Sequence, residues 1–293
     1  MAHDRVTTPT ITLRDGTAIP QIGYGTLAVQ PDRENSDSNA VLTAGVVGEA
    51  LKAGYRHLDS AQSYGTERGV GRAIAESGIA REELYVTSKL ANPNHAPDDV
   101  RRSFDQTLDH LGLEYVDLFL IHWPLPTRYD GDFVSTWRAV ADLVEDGRLR
   151  SAGVSNFLPE HLERIVEETG LVPVVNQFES HPYFQNAPSR EACARLGVAV
   201  QTHSPLGHNR EPLSDAVVAK IATDLEKTPA QVILRWHMQL GDISIPKSSR
   251  PERMAENIAV FDFELSEAEM AAIDALDRGP DGRVGPHPST YEG

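Results

Sequence analysis

Short apolar runs alternate with helix-like segments along nearly the whole chain. Eight runs have the length of a strand and cover residues 21–25, 55–59, 84–90, 115–122, 149–155, 173–178, 197–204 and 242–248. Helical patterns follow them; residues 96–112, for example, begin with acidic side chains in the first turn, which helix N-termini favour. Strands without polar alternation, each followed by a helix, are typical of parallel βαβ units buried on both faces.

Two α/β architectures compete for such a chain, an open doubly wound sheet and a closed barrel. An open sheet that bound a dinucleotide would carry G-x-G-x-x-G in its first βα turn. The stretch GVGRAI has Ile74 where the third glycine belongs, GYGT lacks it too, and no G-x-x-x-x-G-K-[ST] occurs. Eight units in about 250 residues instead predict a TIM (β/α)8 barrel, which we interpret as a single domain over residues 1–293.

Two segments lie outside the eight units. Residues 10–20 alternate apolar and polar positions around Asp15-Gly16, which predicts a β-hairpin, and we expect it to close the bottom of the barrel. Residues 277–293 are rich in glycine and proline and predict a loop over the barrel mouth.

The charge balance and the cysteine count exclude several functions. A net charge of −16 argues against nucleic acid as a partner, because phosphate binding requires a basic surface. The single cysteine, Cys193, excludes an internal disulfide and favours a reducing cytoplasm. We expect it to pack on a helix rather than to act as a catalytic thiol. The first ten residues lack the apolar segment of a signal peptide, and no run of about 18 apolar residues predicts a membrane span.

Active sites of TIM barrels lie at the carboxyl ends of the strands. In this sequence polar residues collect at those ends or directly after them, namely Asp59, Tyr64, Lys89, His122, Ser155, Asn156, Gln177, Ser204, Lys247 and Ser248. The pattern predicts a polar site at one face of the barrel.

Among these residues Lys89 is the hardest to explain as structure, because a buried ammonium is costly unless an acid compensates it. Asp59 lies at the same height on the neighbouring strand, and the pair favours a catalytic interpretation over a helix cap at Asp59. An ammonium beside Tyr64 is expected to lower a pKa that starts at about 10, which makes the tyrosine a usable general acid or base. Taken singly, Tyr64 fits a packing residue and His122 a core histidine, but together His122 adds a neutral donor for a carbonyl oxygen.

The chain resembles an aldo-keto reductase over nearly its whole length, on motifs that include HLDSAQSYGTE, TSKL, DLFLIHWP, GVSNF, VNQFESHPYF, SPLG and IPKSSRPERMAENIAVFDFEL. It is most similar to the bacterial diketogluconate-reductase branch. The resemblance implies reduction of an aldehyde or ketone to the alcohol by hydride transfer from NADPH, with a tetrad of Asp59, Tyr64, Lys89 and His122. It further implies that Tyr64 protonates the carbonyl oxygen and that Trp123 lines the substrate pocket.

The resemblance also implies a cofactor site without a Rossmann fold and without a metal. The implied contacts are Ser155, Asn156 and Gln177 at the nicotinamide amide, Ser204 and Leu206 at the pyrophosphate, Lys247, Ser248 and Arg253 at the 2′-phosphate, and Glu256 and Asn257 at the adenine. His203 departs from the family, in which tyrosine or tryptophan usually stacks on the nicotinamide at this position. The residues themselves agree with a phosphate site, because Lys247 and Arg253 form a cationic patch beside a helix start predicted near Pro251.

Two other functions stay open at this point. Aldo-keto reductase folds also serve as noncatalytic NADPH-binding proteins, against which the intact tetrad argues. A class I aldolase would use Lys89 as a Schiff-base amine, which pairing with Asp59 opposes because it keeps the amine protonated. The substrate is expected to be a small carbonyl compound selected by loops such as 124–135 and the tail. The loop 30–40 is longer than usual in the family and is expected beside the site, and the family default is a monomer.

Overall fold

The protein, described as a computed structural model over residues 8–209 and 211–293, is built around a closed parallel barrel. Its strands are β1 (Thr10–Thr12), β2 (Ala18–Pro20), β3 (Tyr24–Gly25), β4 (His57–Asp59), β5 (Tyr85–Leu90), β6 (Val116–Ile121), β7 (Leu149–Ser155), β8 (Val175–Glu179), β9 (Ala199–His203) and β10 (Ile243–Ile245). Strands β3 to β10 are hydrogen-bonded in chain order. Ser244 closes the ring, since its N–H donates to the Gln21 carbonyl at 2.9 Å and its carbonyl accepts from Gly23 at 2.9 Å. The predicted (β/α)8 barrel is confirmed.

Helices follow the barrel strands and cover the outside of the sheet. Within the described residues they are α1 (Asp37–Ala53), α2 (Glu67–Ser77), α3 (Pro97–Leu111), α4 (Val134–Asp142), α5 (Pro159–Thr169), α6 (Ala187–Leu196), α7 (Ala216–Asp224), α8 (Pro229–Gln239), α9 (Pro251–Ile258) and α10 (Glu267–Asp274). Helix α3 illustrates why the helices pack on the sheet. Its apolar residues Val100, Phe104 and Leu108 recur every four residues, so they lie on one face of the helix, and all three are buried. No helix in this part of the chain is long and apolar enough to cross a membrane. Residues 1–7, which hold most of the segment without signal-peptide character, lie outside the described residues.

The N-terminal hairpin closes the lower end of the barrel, as predicted. Strands β1 and β2 pair antiparallel around the turn at Asp15-Gly16, where Gly16 has a φ of 86°. Leu13 and Ile19 are buried in the apolar cluster that fills the bottom of the barrel, together with Leu118, Leu120, Val175 and Ile243. Ser151 Oγ on β7 donates to Asp15 Oδ2 at 2.6 Å and fixes the turn against the strands.

The interior of the barrel changes from apolar to polar toward the carboxyl ends of the strands. Alternate residues of a strand face the same side, so on β5 Thr87 and Lys89 follow Tyr85 upward through the interior. His57 on β4 contacts Thr87 Oγ1 at 3.1 Å through Nε2, one layer below Asp59. The fold therefore brings buried polar groups together at the mouth, where the polar strand ends were expected.

Cys193 is a packing residue of helix α6. Its side chain is fully buried, and Asn176 Nδ2 lies 3.9 Å from the sulfur. Burial raises the pKa of the thiol to about 11. A neutral, enclosed thiol agrees with the expected packing role and not with the catalytic alternative.

Candidate active site at the barrel mouth

Lys89 lies at the upper end of β5 and is fully buried. Its Nζ donates to Asp59 Oδ1 at 2.5 Å and to the Ser60 carbonyl at 2.9 Å, and lies 3.5 Å from the Tyr64 hydroxyl. Burial alone would lower the pKa of Lys89, but the Asp59 carboxylate outweighs it and raises the pKa. Lys89 is therefore charged, and Asp59 holds it instead of capping α2, whose N-cap residue is Thr66.

Tyr64 ends a short 3-10 turn, Gln62–Tyr64, between β4 and α2. Burial raises the pKa of its hydroxyl above the ordinary value, and the nearby Lys89 ammonium opposes that rise without cancelling it. The predicted net lowering of the Tyr64 pKa is therefore wrong, because the cost of desolvating a tyrosinate exceeds the attraction of one ammonium. The hydroxyl stays protonated at neutral pH, which makes it a proton donor.

His122 follows β6 directly and faces Tyr64. The two rings meet edge to face with their centroids 5.5 Å apart, and His122 Nδ1 lies 3.4 Å from Ser63 Oγ. Burial, with a further contribution from the Lys89 ammonium, lowers the pKa of His122 well below its ordinary value. The imidazole is therefore neutral, as the sequence predicted.

Three polar side chains, at or directly after the ends of β7 and within β8, form the next part of the mouth. Gln177 Nε2 donates to Asp59 Oδ2 at 2.7 Å, so its amide oxygen faces away from the acid. Asn156 Nδ2 donates to the His122 carbonyl at 2.9 Å and to Ser155 Oγ at 3.1 Å. Because Ser155 Oγ accepts from Asn156, its own proton remains available to an outside acceptor.

A cavity of about 790 Å³ opens above these groups, within the size range of small-molecule sites. The predicted residues that line it are Asp59, Tyr64, His122, Trp123, Ser155, Asn156, Gln177, His203, Ser204, Leu206 and Lys247. Lys89 lies beneath this lining, behind Asp59 and Tyr64. The structure thus gathers the predicted catalytic, nicotinamide and pyrophosphate residues at one cavity.

A second cavity of about 390 Å³ adjoins the first, and the two share Leu206 and Lys247. The remaining predicted cofactor residues line it, namely Ser248, Arg253, Glu256 and Asn257. Helix α9 begins at Pro251 on this side, as expected, with its first turn beside the cationic side chains. A groove therefore runs from the tetrad to the cationic patch.

Glu179 is a residue of the mouth that the sequence did not single out. It ends β8, and its carboxylate accepts the N–H groups of Val284 at 2.6 Å and Gly285 at 2.7 Å. Burial alone would raise the pKa of Glu179, but hydrogen bonds from His181 and these two amides lower it to about 2. Glu179 stands two residues after Gln177, so strand alternation points both side chains inward and is the signal that identifies it.

The C-terminal tail runs along the mouth from Glu179 and is held again beside the loop that follows β6. The ring centroids of Tyr291 and Trp123 lie 4.2 Å apart, and Arg128 Nη1 donates to the Glu292 carbonyl at 2.9 Å. The tail segments around Arg283 and Tyr291 line the large cavity. The predicted loop over the barrel mouth is therefore present.

The loop 30–40 also reaches the site. Gln30 Nε2 donates to the carbonyls of Tyr64 at 3.3 Å and Gly65 at 3.2 Å, and Arg33 lines the large cavity. A Cβ added at Gly65 would lie 2.4 Å from the Arg33 carbonyl oxygen, so only glycine allows this close approach. The loop lies beside the active-site turn, as predicted.

The sequence profile of the Aldo/keto reductase family matches residues 21–278. The chain belongs to this family. An aldo-keto reductase of Mycolicibacterium smegmatis is 47% identical over 283 residues, which cover 97% of this chain and 98% of the relative. Morphine 6-dehydrogenase of Pseudomonas putida is 40% identical over 292 residues and covers 96% of this chain and 94% of its own. Assignment to the diketogluconate-reductase branch of the aldo-keto reductases stays a prediction.

Solved aldo-keto reductase structures share the fold and include cofactor complexes. The Bombyx mori aldo-keto reductase in complex with NADP has a TM-score of 0.84 at 38% identity, covering 92% of this chain and 93% of that one. A variant of Gox0644 in complex with NADPH has a TM-score of 0.89 at 43% identity, covering 97% and 99%. The similarity to each of these structures extends over more than nine-tenths of this chain.

Proposed function

We propose that this aldo-keto reductase reduces an aldehyde or ketone to the alcohol with NADPH, and that Tyr64 is the general acid. The observation that carries the proposal is the position of Lys89 Nζ, 2.5 Å from Asp59 Oδ1 and 3.5 Å from the Tyr64 hydroxyl. A charged ammonium at that distance favours the tyrosinate that forms when the proton leaves. The large cavity gives a small carbonyl compound access to the hydroxyl.

The polar groups beside the tetrad complement a primary carboxamide. Such a group accepts one hydrogen bond at its oxygen and donates two from its nitrogen. Ser155 offers a hydroxyl proton, while the oxygens of Gln177 and Asn156 can accept, because their nitrogens are already committed to Asp59 and to the His122 carbonyl. We therefore assign the nicotinamide amide to these three side chains.

The adjoining cavity suits the phosphate and adenosine half of NADPH. Among the described residues neither Lys247 nor Arg253 forms an ion pair with an acid, although the net charge of the protein is −16. Burial lowers the pKa of Lys247, and a phosphate would compensate this cost as its counterion. We assign Lys247, Ser248 and Arg253 to the 2′-phosphate, Ser204 and Leu206 to the pyrophosphate, and Glu256 and Asn257 to the adenine.

Bound NADPH would supply the hydride that adds to the carbonyl carbon, and the protein has to supply the proton. Tyr64 donates it to the carbonyl oxygen, so that the C=O double bond becomes a C–O single bond, with a new C–H bond at the carbon and a new O–H bond at the oxygen. Lys89 stabilises the resulting tyrosinate, and Asp59 keeps Lys89 charged and in place.

His122 orients the carbonyl in this scheme. His122 Nδ1 faces the Ser63 hydroxyl, which is able to donate to it, and we therefore assign the proton of the neutral imidazole to Nε2, from which it can be donated to the carbonyl oxygen beside Tyr64. Trp123, next in the chain, lines the same cavity and is assigned to the substrate.

Oxidation of NADPH, followed by its absorbance over a panel of aldehydes and ketones, tests the proposal. Turnover by the wild type that is lost in Tyr64→Phe supports it. Binding of NADPH without turnover of any reactive aldehyde would favour the noncatalytic alternative. The Schiff-base alternative is disfavoured because Asp59 raises the pKa of Lys89, and borohydride trapping tests it. A single domain, a monomer and a cytoplasmic location stay predictions from the sequence.

A further inference from the structure

His203 ends β9 at the cavity, and its ring joins a chain of hydrogen bonds. His203 Nε2 lies 3.0 Å from Asn156 Oδ1, and His203 Nδ1 lies 3.2 Å from Ser204 Oγ. Ser204 Oγ lies in turn 2.9 Å from His208 Nε2. This series of hydrogen bonds thus connects the loop after β9 with the side chain of Asn156, which follows β7.

The direction of each bond follows from the groups that can only accept or only donate. Asn156 directs its amide nitrogen at the His122 carbonyl, an acceptor, so its Oδ1 is the atom that faces His203. An amide oxygen cannot donate, and His203 Nε2 must therefore carry a proton. Burial lowers the pKa of His203 to about 4, so the ring is neutral and Nδ1 is unprotonated.

The remaining bonds are then fixed as well. The Ser204 hydroxyl donates to His203 Nδ1, and Ser204 Oγ accepts from His208 Nε2. Every donated proton in this series of hydrogen bonds points toward Asn156. Hydrogen bonds aligned in this way reinforce one another, which strengthens the hold on the last acceptor.

We propose that His203 is a positioning residue that fixes the Asn156 amide oxygen for the cofactor carboxamide and ties it to the loop at Ser204. The inference rests on the proposed function, since the carboxamide belongs to NADPH. An amide oxygen has two lone pairs, so Asn156 Oδ1 can accept from His203 and from the carboxamide together. This role uses the hydrogen-bonding edge of the ring and not its face.

Two substitutions separate this role from stacking on the nicotinamide. His203→Gln replaces Nε2–H by an amide N–H and removes the ring, whereas His203→Phe keeps a flat ring and removes the donor. If His203 positions Asn156, the dissociation constant for NADPH should exceed that of the wild type only slightly in His203→Gln. In His203→Phe it should exceed it by about three- to ten-fold, which is the effect of one lost neutral hydrogen bond. If it serves by stacking, the order of the two variants is reversed, and the inference is overturned.

A cofactor analogue provides the matched control. In the reduced 3-acetylpyridine analogue of NADPH a methyl ketone replaces the carboxamide, so no N–H reaches Asn156. Fluorescence titration should therefore show that His203→Phe weakens NADPH more than it weakens the analogue. Equal losses for both would mean that the variant disturbs the pocket in general, and would contradict the positioning role.

The tautomer can be measured in the free protein, independently of any cofactor. Long-range ¹H–¹⁵N correlation spectra, assigned with His203→Gln, should show a neutral His203 protonated at Nε2. A proton on Nδ1 overturns the inference even where NADPH binds normally. A wild type that shows the Nε2–H tautomer but does not bind NADPH would contradict the proposed function and leave the Asn156–His203 bond established.

Discussion

Lys89 Nζ lies 3.5 Å from the Tyr64 hydroxyl and forms a hydrogen bond with it. The same ammonium is held by Asp59, so its position does not depend on Tyr64. Burial keeps the tyrosine protonated, while the ammonium lowers the cost of removing that proton. In the proposed reaction, Tyr64 is thus present in its protonated, acidic form, and Lys89 stabilises the tyrosinate that forms when the proton leaves.

The first prediction concerns Tyr64→Phe. The phenyl ring keeps the shape of the mouth and removes the acid, so we expect kcat to fall by about 10²–10⁴-fold or more while the dissociation constant for NADPH stays unchanged. Tyr129→Phe is the matched control, because Tyr129 also lines the cavity but donates its hydroxyl proton to the Asn92 carbonyl. Near-normal turnover of Tyr64→Phe would remove the residue from the reaction.

The second prediction concerns the buried ion pair. Among the described residues, Lys89→Met leaves the Asp59 carboxylate with Gln177 as its one side-chain partner, in a buried site where an uncompensated carboxylate costs roughly 3–5 kcal/mol. We expect loss of activity and a lower Tm, measured by calorimetry. The double variant Asp59→Asn/Lys89→Met should recover part of the Tm. Equal Tm values for the single and double variants would show that the pairing does not stabilise the fold.

The third prediction concerns the choice of cofactor. Arg253 is exposed at the adjoining cavity and forms no ion pair among the described residues, so its guanidinium is free for a phosphate. Arg253→Ala should weaken NADPH by roughly ten- to a hundred-fold, since a charge-assisted contact is worth about 1.5–3 kcal/mol, and leave NADH nearly unaffected.

Arg101→Ala controls for the loss of one positive charge, because Arg101 pairs with Asp146 away from the cavities. Dissociation constants for both cofactors decide the outcome. Equal losses for NADPH and NADH in Arg253→Ala would mean that Arg253 shapes the loop instead of binding the phosphate. A wild type that prefers NADH would contradict the assignment.

The fourth prediction concerns Glu179 and pH. Its pKa is lowered from 4.5 to about 2 in the folded protein, so its contribution is complete above pH 4.5 and is lost as the pH falls toward 2. The shift corresponds to about 3 kcal/mol of unfolding free energy. At neutral pH the free energy of unfolding of Glu179→Gln should be lower than that of the wild type by up to this amount. The difference between the two free energies should become smaller as the pH falls.

Trypsin gives a local measurement of the same clasp. Trypsin cuts after arginine, and the peptide bond after Arg283 contains the Val284 N–H that donates to Glu179. Glu179→Gln should therefore speed cleavage at this bond. Glu163→Gln, which removes an exposed acid paired with Arg195, is the control. Equal cleavage rates in the two variants would show that Glu179 does not hold the tail.

Much of the barrel was predictable because its strands are buried on both faces and give continuous apolar runs. All eight ranges contain a strand, and only β8 extends one residue past its predicted end, to Glu179. Boundaries were less accurate where hydrogen bonds decide them. Strand β10 ends at Ile245, short of the predicted 248, since Pro246 has no N–H for the ladder.

The candidate site divides in the same way. The expected proximity of Asp59 and Lys89 follows from adjacent strands, which a topology fixes. The direction of the Tyr64 pKa shift cannot be predicted from the topology, because it depends on how much of the ring the neighbouring loops enclose. The bond between Glu179 and Val284 joins residues 105 positions apart through an irregular tail, for which periodicity carries no information.

The enclosed thiol of Cys193 makes the protein convenient for site-directed labelling. It is the only cysteine of the chain, it is fully buried, and burial raises its pKa to about 11. Maleimide reagents at neutral pH attack thiolates, so the native side chain should remain unmodified. A cysteine introduced at exposed Thr290 would then carry a single fluorophore on the tail, without any background mutation, and report whether NADPH or a substrate changes the surroundings of the tail.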